Sequence, residues 1–104
     1  MNIIEVMLQV LQDLNKNPDE EFLKQIKIIV KNNSMSVHEK SQSNSTALII
    51  ASVRGLTKCF DFLLQSGADL YAKDDYGATA KFCAENMYRI DILEIIKSFE
   101  NKLK

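Results

Sequence analysis

Two Thr-Ala pairs, Thr46-Ala47 and Thr79-Ala80, stand 33 residues apart, and what surrounds them repeats at the same offset. Ala51 aligns with Ala84, Phe60 with Leu93, Phe62 with Ile95 and Leu63 with Ile96. A fixed period of this length marks a chain built from stacked supersecondary units, so it constrains the fold more than any single motif. The link between the units is the stretch Gln65–Thr79. Gly67 follows an apolar run and suits the left-handed residue that stops a helix. Asp74-Asp75-Tyr76-Gly77 reads as a tight turn. Thr79 then stands where a hydroxyl accepts from the free amides of a new helix.

Apolar spacing fills in the rest. Ile3, Met7, Val10 and Leu14 form one stripe, with Ile4 and Leu11 beside it, which predicts an amphipathic helix over 2–15. Pro18 suits the first turn of a second helix, where Asp19, Glu20 and Glu21 meet the positive end of the dipole. That helix carries Phe22, Ile26, Ile29 and Val30 and runs to about Lys31; Val37 to Asn44 reads as polar and irregular. Thr46 opens a third helix that Gly55 closes, and a fourth runs from about Leu56 to Gln65. The fifth extends from Thr79 to about Met87, and the sixth from about Arg89 to Phe99 before fraying into Glu100–Lys104. Strand signals are almost absent, so the expectation is an all-α chain.

These features resemble the ankyrin repeat. The family pattern Gly-x-Thr-Pro-Leu-His-x-Ala-Ala, a glycine, an apolar helix and Gly-Ala-Asp is similar to Ser45-Thr-Ala-Leu-Ile-Ile-Ala51, Gly55, Phe60–Leu64 and Gly67-Ala-Asp69. It restarts at Asp74-Asp-Tyr-Gly77 and Thr79-Ala80, so residues 44–80 carry the close match. The resemblance implies a short solenoid of about three repeats: capping helices over 1–40, a central repeat over 41–73 and a capping repeat over 74–104. The family proline and histidine are absent, with Ala47 and Ile49 at one helix start and Ala80 and Phe82 at the other. Lys81 replaces a core leucine and Tyr88 an inter-helix glycine, as befits a terminal unit with a wetter outer face. The first helix, longer than a repeat helix, fits the opposite cap.

Few chemistries are open to this chain. One histidine, His38, and two distant cysteines, Cys59 and Cys83, lack metal-ligand spacing. No phosphate-cradling glycine loop occurs, so no cofactor is expected. The cysteines lie in apolar helical patterns and read as reduced core residues, leaving an enzyme or ligand-binding domain using Cys83 or His38 as the weaker alternative. Asp74 and Asp75 read as turn residues rather than paired acids. A net charge of −1 gives no field to recruit nucleic acid or an anionic membrane. No apolar run approaches a membrane span, the N-terminus carries no basic signal region, and a cytoplasmic location is expected.

The resemblance implies a non-catalytic module, an adaptor or inhibitor, that binds another protein through turn tips and the exposed flank of each first helix. Carrying the family's contact positions over gives Lys40, Gln42, Ser43, Ser45, Val53 and Arg54, then Lys73, Asp75, Tyr76, Ala78, Asn86 and Met87. Tyr76 and Arg54 are the residue types that anchor interfaces. A monomer or a weak homodimer is expected, the latter through the Ile3, Met7 and Val10 stripe. Small proteins of this kind also act as effectors in a host cytosol, though no delivery signal is evident.

Overall fold

In a computed structural model, residues 2–9 and 17–103 are described. Among them are six α-helices: α1 (Ile3–Leu8), α2 (Pro18–Asn32), α3 (Ala47–Arg54), α4 (Thr57–Gln65), α5 (Ala80–Asn86) and α6 (Ile90–Lys102). A short 3-10 helix covers Ser34–His38, and the only extended pairing in the described residues is a single bridge between Lys40 and Thr46. Consecutive helices pair as hairpins. α1, α3 and α5 pack side by side as an inner layer, and α2, α4 and α6 as an outer one. The fold is a short helical solenoid, all-α as expected.

The repeat holds down to individual backbone bonds. The Thr46 and Thr79 hydroxyls accept from Ile49 N–H (3.2 Å) and Phe82 N–H (3.1 Å), so equivalent hairpins begin at both. Ser41 N–H donates to the Ser45 carbonyl at 3.0 Å, and Asp74 N–H to that of Ala78 at 3.0 Å. Leu56 N–H donates to the Ala51 carbonyl and Arg89 N–H to that of Ala84, both at 2.9 Å. Each pair is related by 33 residues. The core runs through both layers and includes Phe22, Ile26, Leu48, Phe60, Leu63, Ile92 and Ile96, all buried.

Four expectations need correction. α1 ends at Leu8, because Gln9 is extended (φ −63°, ψ 148°), so it is shorter than α3 rather than longer; Val10, Leu11 and Leu14 lie outside the described residues. Ile3 and Met7 are fully buried inside the chain, which removes them as a pairing stripe for a second copy. The segment expected to be irregular is ordered: Ser36 and Val37 are buried, with Val37 sitting 33 residues before the buried Leu70, and a tight turn follows. α6 does not fray after Phe99 but runs on to Lys102, with Glu100 held by the Lys81 ammonium and the Tyr71 hydroxyl, each at 3.3 Å.

The chain's two arginines perform one task. A helix leaves its last carbonyls without intrahelical partners. Arg54 Nη1 donates to the Met7 carbonyl and, at 2.8 Å, to that of Gln9, while its guanidinium lies 5.4 Å from the Phe22 ring centre. Arg89 donates from Nη2 to the Val53 carbonyl (2.7 Å) and from Nε to that of Ser52 (3.3 Å). Each inner helix that has a successor is thus capped from the next hairpin. Gly55 serves this geometry twice. Its φ of +74° is a left-handed conformation, and a Cβ there would stand 3.0 Å from the Arg89 guanidinium. Gly55→Ala should therefore destabilise the fold by ~1–3 kcal/mol, and Arg89→Ala by ~1–2 kcal/mol. In urea unfolding the double variant should lose less than the two losses added, because removing the guanidinium relieves the Cβ contact.

Candidate functional site

Two turns project from the ends of the hairpins, and their tips are tied to each other. Asp74 Oδ1 accepts from the N–H groups of Tyr76 and Ala78, both at 2.9 Å, which fixes its turn. Ser41 Oγ acts similarly in the preceding unit, accepting from Ser45 N–H at 3.2 Å. Asn44 is left-handed (φ 61°) where the next turn has Gly77 (φ 79°), and asparagine tolerates that region. Across the gap, Asp75 N–H donates to the Ser43 carbonyl (3.0 Å) and Asp75 Oδ1 accepts from Asn44 Nδ2 (2.7 Å). Asp74 and Asp75 are accordingly turn and bridging residues, not a pair of acids poised for proton transfer.

The structure brings the expected contact positions onto one side, along the turns and the ends of α3 and α5. Lys40, Gln42, Val53, Lys73, Asp75, Tyr76, Asn86 and Met87 are exposed, and Ser43, Ser45 and Ala78 are half-buried. Tyr76 is 87% exposed, so its ring is not laid across the turn as packing. Arg54 differs from the rest: its Nη1 is held by the carbonyls at the end of α1, and it serves the framework. Two residues were missed. Leu8, 56% exposed, and Ile50 line a recess of about 440 Å³ with Ser41, Gln42, Ser43 and Ser45. Ile50 could have been read from its place one turn into α3; Leu8 could not, because only tertiary packing brings α1 beside that turn.

Neither thiol is arranged as a nucleophile. Cys59 is buried, donates Sγ–H to the Asp19 carbonyl (3.2 Å), and its pKa is pushed up by burial and then by Asp19. Cys83 is half-buried rather than a core residue, because no further helix covers that side of α5; burial and the Asp74 charge raise its pKa as well. His38 is exposed at the end of the 3-10 helix and lines a small recess with Lys40, Thr46 and Asp69. No group of three potential metal ligands exists among the described residues, and none of their helices is long and apolar enough to cross a membrane.

Stacked helical hairpins with bonded, projecting turns define a helical-repeat protein. Residues 43–75 match the family model for the ankyrin repeat. The chain belongs to the ankyrin-repeat proteins, a family whose repeats generally mediate protein–protein interaction and are typically non-catalytic.

The folded state disfavours ionisation of both thiols and of the Tyr71 hydroxyl, which burial and Glu100 hold above its usual value. Lys58, held protonated by Glu20, also titrates above its usual value. All four contributions are complete below the unfolded values and are lost as pH rises through the folded ones. Unfolding free energy should thus decline once pH passes the ordinary thiol value of 9.0. In native protein a disulfide reagent should label Cys83 and leave Cys59 untouched until the chain unfolds.

Proposed function

We propose that this chain is a non-catalytic adaptor or inhibitor that grips one partner protein through its two turn tips and the exposed flanks of α3 and α5. The outer hairpins, 1–40 and 74–104, act as caps on a central repeat. The observation that supports this most directly is Tyr76. A large aromatic side chain stands almost wholly in solvent on a turn that four hydrogen bonds hold still: those of Asp74 to Tyr76, Gly77 and Ala78, and that of Asp75 to Ser43. Aromatics presented on a pre-formed turn lose little entropy on binding and are common anchors.

Around Tyr76 lie Lys40, Gln42, Ser43, Ser45, Val53, Lys73, Asp75, Ala78, Asn86 and Met87, a mixed surface with apolar floor and polar rim. Arg54 drops out of the binding set because its guanidinium is engaged internally. A specific interface of roughly 800 Å² per partner is within reach of a stack this short. That area favours a single partner over a scaffold for many.

Affinity capture with the whole chain, followed by mass spectrometry, supplies the partner, and titration calorimetry then tests the face. Tyr76→Ala should weaken binding by about tenfold or more, ~1.4 kcal/mol, with unchanged helical content. Met87→Ala should act in the same direction. Unaltered binding in both variants would place the interface elsewhere.

A further inference from the structure

The two seams between outer helices are built differently. In the α2–α4 seam, Asp19 accepts from Lys58 N–H (2.7 Å) and Cys59 N–H (2.9 Å), Glu20 pairs with Lys58, and Lys27 lies over Phe62. Among the described residues no side-chain hydrogen bond or ion pair crosses from α4 to α6. A groove of about 370 Å³ opens there instead, with Ile95 and Phe99 giving it apolar surface. It adjoins a second recess of about 310 Å³ through the shared residues Thr57 and Asp91, and Tyr88 and Ile90 line that recess.

We propose that the α4–α6 groove is a second docking surface, on the layer opposite the turn-tip face, and that it takes a basic amphipathic helix of a partner protein. Charge is the first argument. Asp61 from α4 and Asp91 and Glu94 from α6 line the same groove, and none has a hydrogen-bond or ion-pair partner among the described residues. Like charges gathered from two helices repel one another, and a cationic side chain between them removes that cost. The positive groups along the groove do not do this. Arg89 is bonded to the carbonyls of Ser52 and Val53, and Lys102 stands at the far end, three turns along α6.

Backbone strain is the second argument. Tyr88 is left-handed (φ 56°) in the position where the preceding hairpin has Gly55. A non-glycine residue there costs ~1 kcal/mol. The ring, 83% exposed, offsets none of this by packing, and Ile90 beside it is 60% exposed. Stability alone would favour glycine, so the aromatic is retained for a contact outside the chain. Dimensions fit a helical occupant: α6 has 13 residues, and a groove alongside it spans roughly 20 Å. A third helix lying between two others is ordinary ridge-in-groove packing.

The test uses the whole chain and two fluorescein-labelled probes of roughly 14 residues, long enough to span α6: an amphipathic leucine–lysine helix and its leucine–glutamate counterpart. In fluorescence anisotropy the lysine probe should bind at least about tenfold tighter and weaken as salt is raised. Amide shift perturbations should centre on 57–65 and 88–99. Asp91→Lys with Glu94→Lys, both exposed positions, should abolish the preference. Tyr88→Gly should weaken binding several-fold while raising the melting temperature, a pairing that a purely structural Tyr88 would not give. Equal binding of the two probes, or perturbations centred on 40–45 and 73–78, would overturn the proposal. Because those perturbations report the turn-tip face separately, failure here is distinguishable from failure of the adaptor reading.

Discussion

The stack depends on how the carbonyl ends of its inner helices are satisfied. α1 and α3 both end where the next hairpin packs, and terminal carbonyls left without donors in such a place are costly. Arg54 and Arg89 supply the donors, each from the hairpin that follows. The guanidinium suits this because its fan of N–H groups reaches two carbonyls at once and its flat face can lie on an aromatic ring. The two arginines are not in equivalent positions. Arg54 is the last residue of α3, whereas Arg89 precedes α6 and aligns with Leu56. The requirement repeats and the sequence solution does not, so the need comes from packing geometry rather than from the repeat pattern.

Other links between units follow the same logic of helix and turn ends. Asp19 caps the amino end of α4 from α2, at a helix that has no cap of its own. Asp75 reaches back to Ser43 and Asn44, joining the turn tips. This restores a connection that the missing family histidine would otherwise help supply. The apolar core holds the layers together without fixing how far one hairpin slides along the next. The polar links between ends are directional, and they set that register.

What could be read from the sequence was what is local or periodic. The caps at Thr46 and Thr79, the left-handed turn after Arg54, the Asp74 turn and the position of Pro18 all rest on contacts within a few residues. The 33-residue offset then fixed how those pieces stack. What could not be read was set by contacts distant in sequence. Arg54 has the look of an exposed hot-spot residue because nothing nearby reveals that the end of α1 arrives beside it. Helix α6 persists to Lys102 because Lys81 and Tyr71 hold Glu100. Val37 is buried although its neighbours are polar, and only its offset from Leu70 hinted at it. The turn-tip face was legible as a ladder of positions, but Leu8 at its edge was not.

Tyr76 and Tyr88 show why exposure alone is a weak guide to function in such a fold. Both rings stand in solvent, and both sit at the end of a hairpin. Tyr76 occupies a turn whose backbone Asp74 stabilises, so the side chain there is free to vary at no cost to the framework. Tyr88 occupies a position where the backbone itself disfavours any side chain. The same left-handed geometry is needed at Gly55 for Arg89 to reach the end of α3, but Tyr88 has no such arginine following it in the described residues. An exposed residue on a relaxed turn is compatible with function; one on a strained turn calls for a compensating contact. That asymmetry directs attention to the outer-layer groove as well as to the face that the repeat architecture would suggest first.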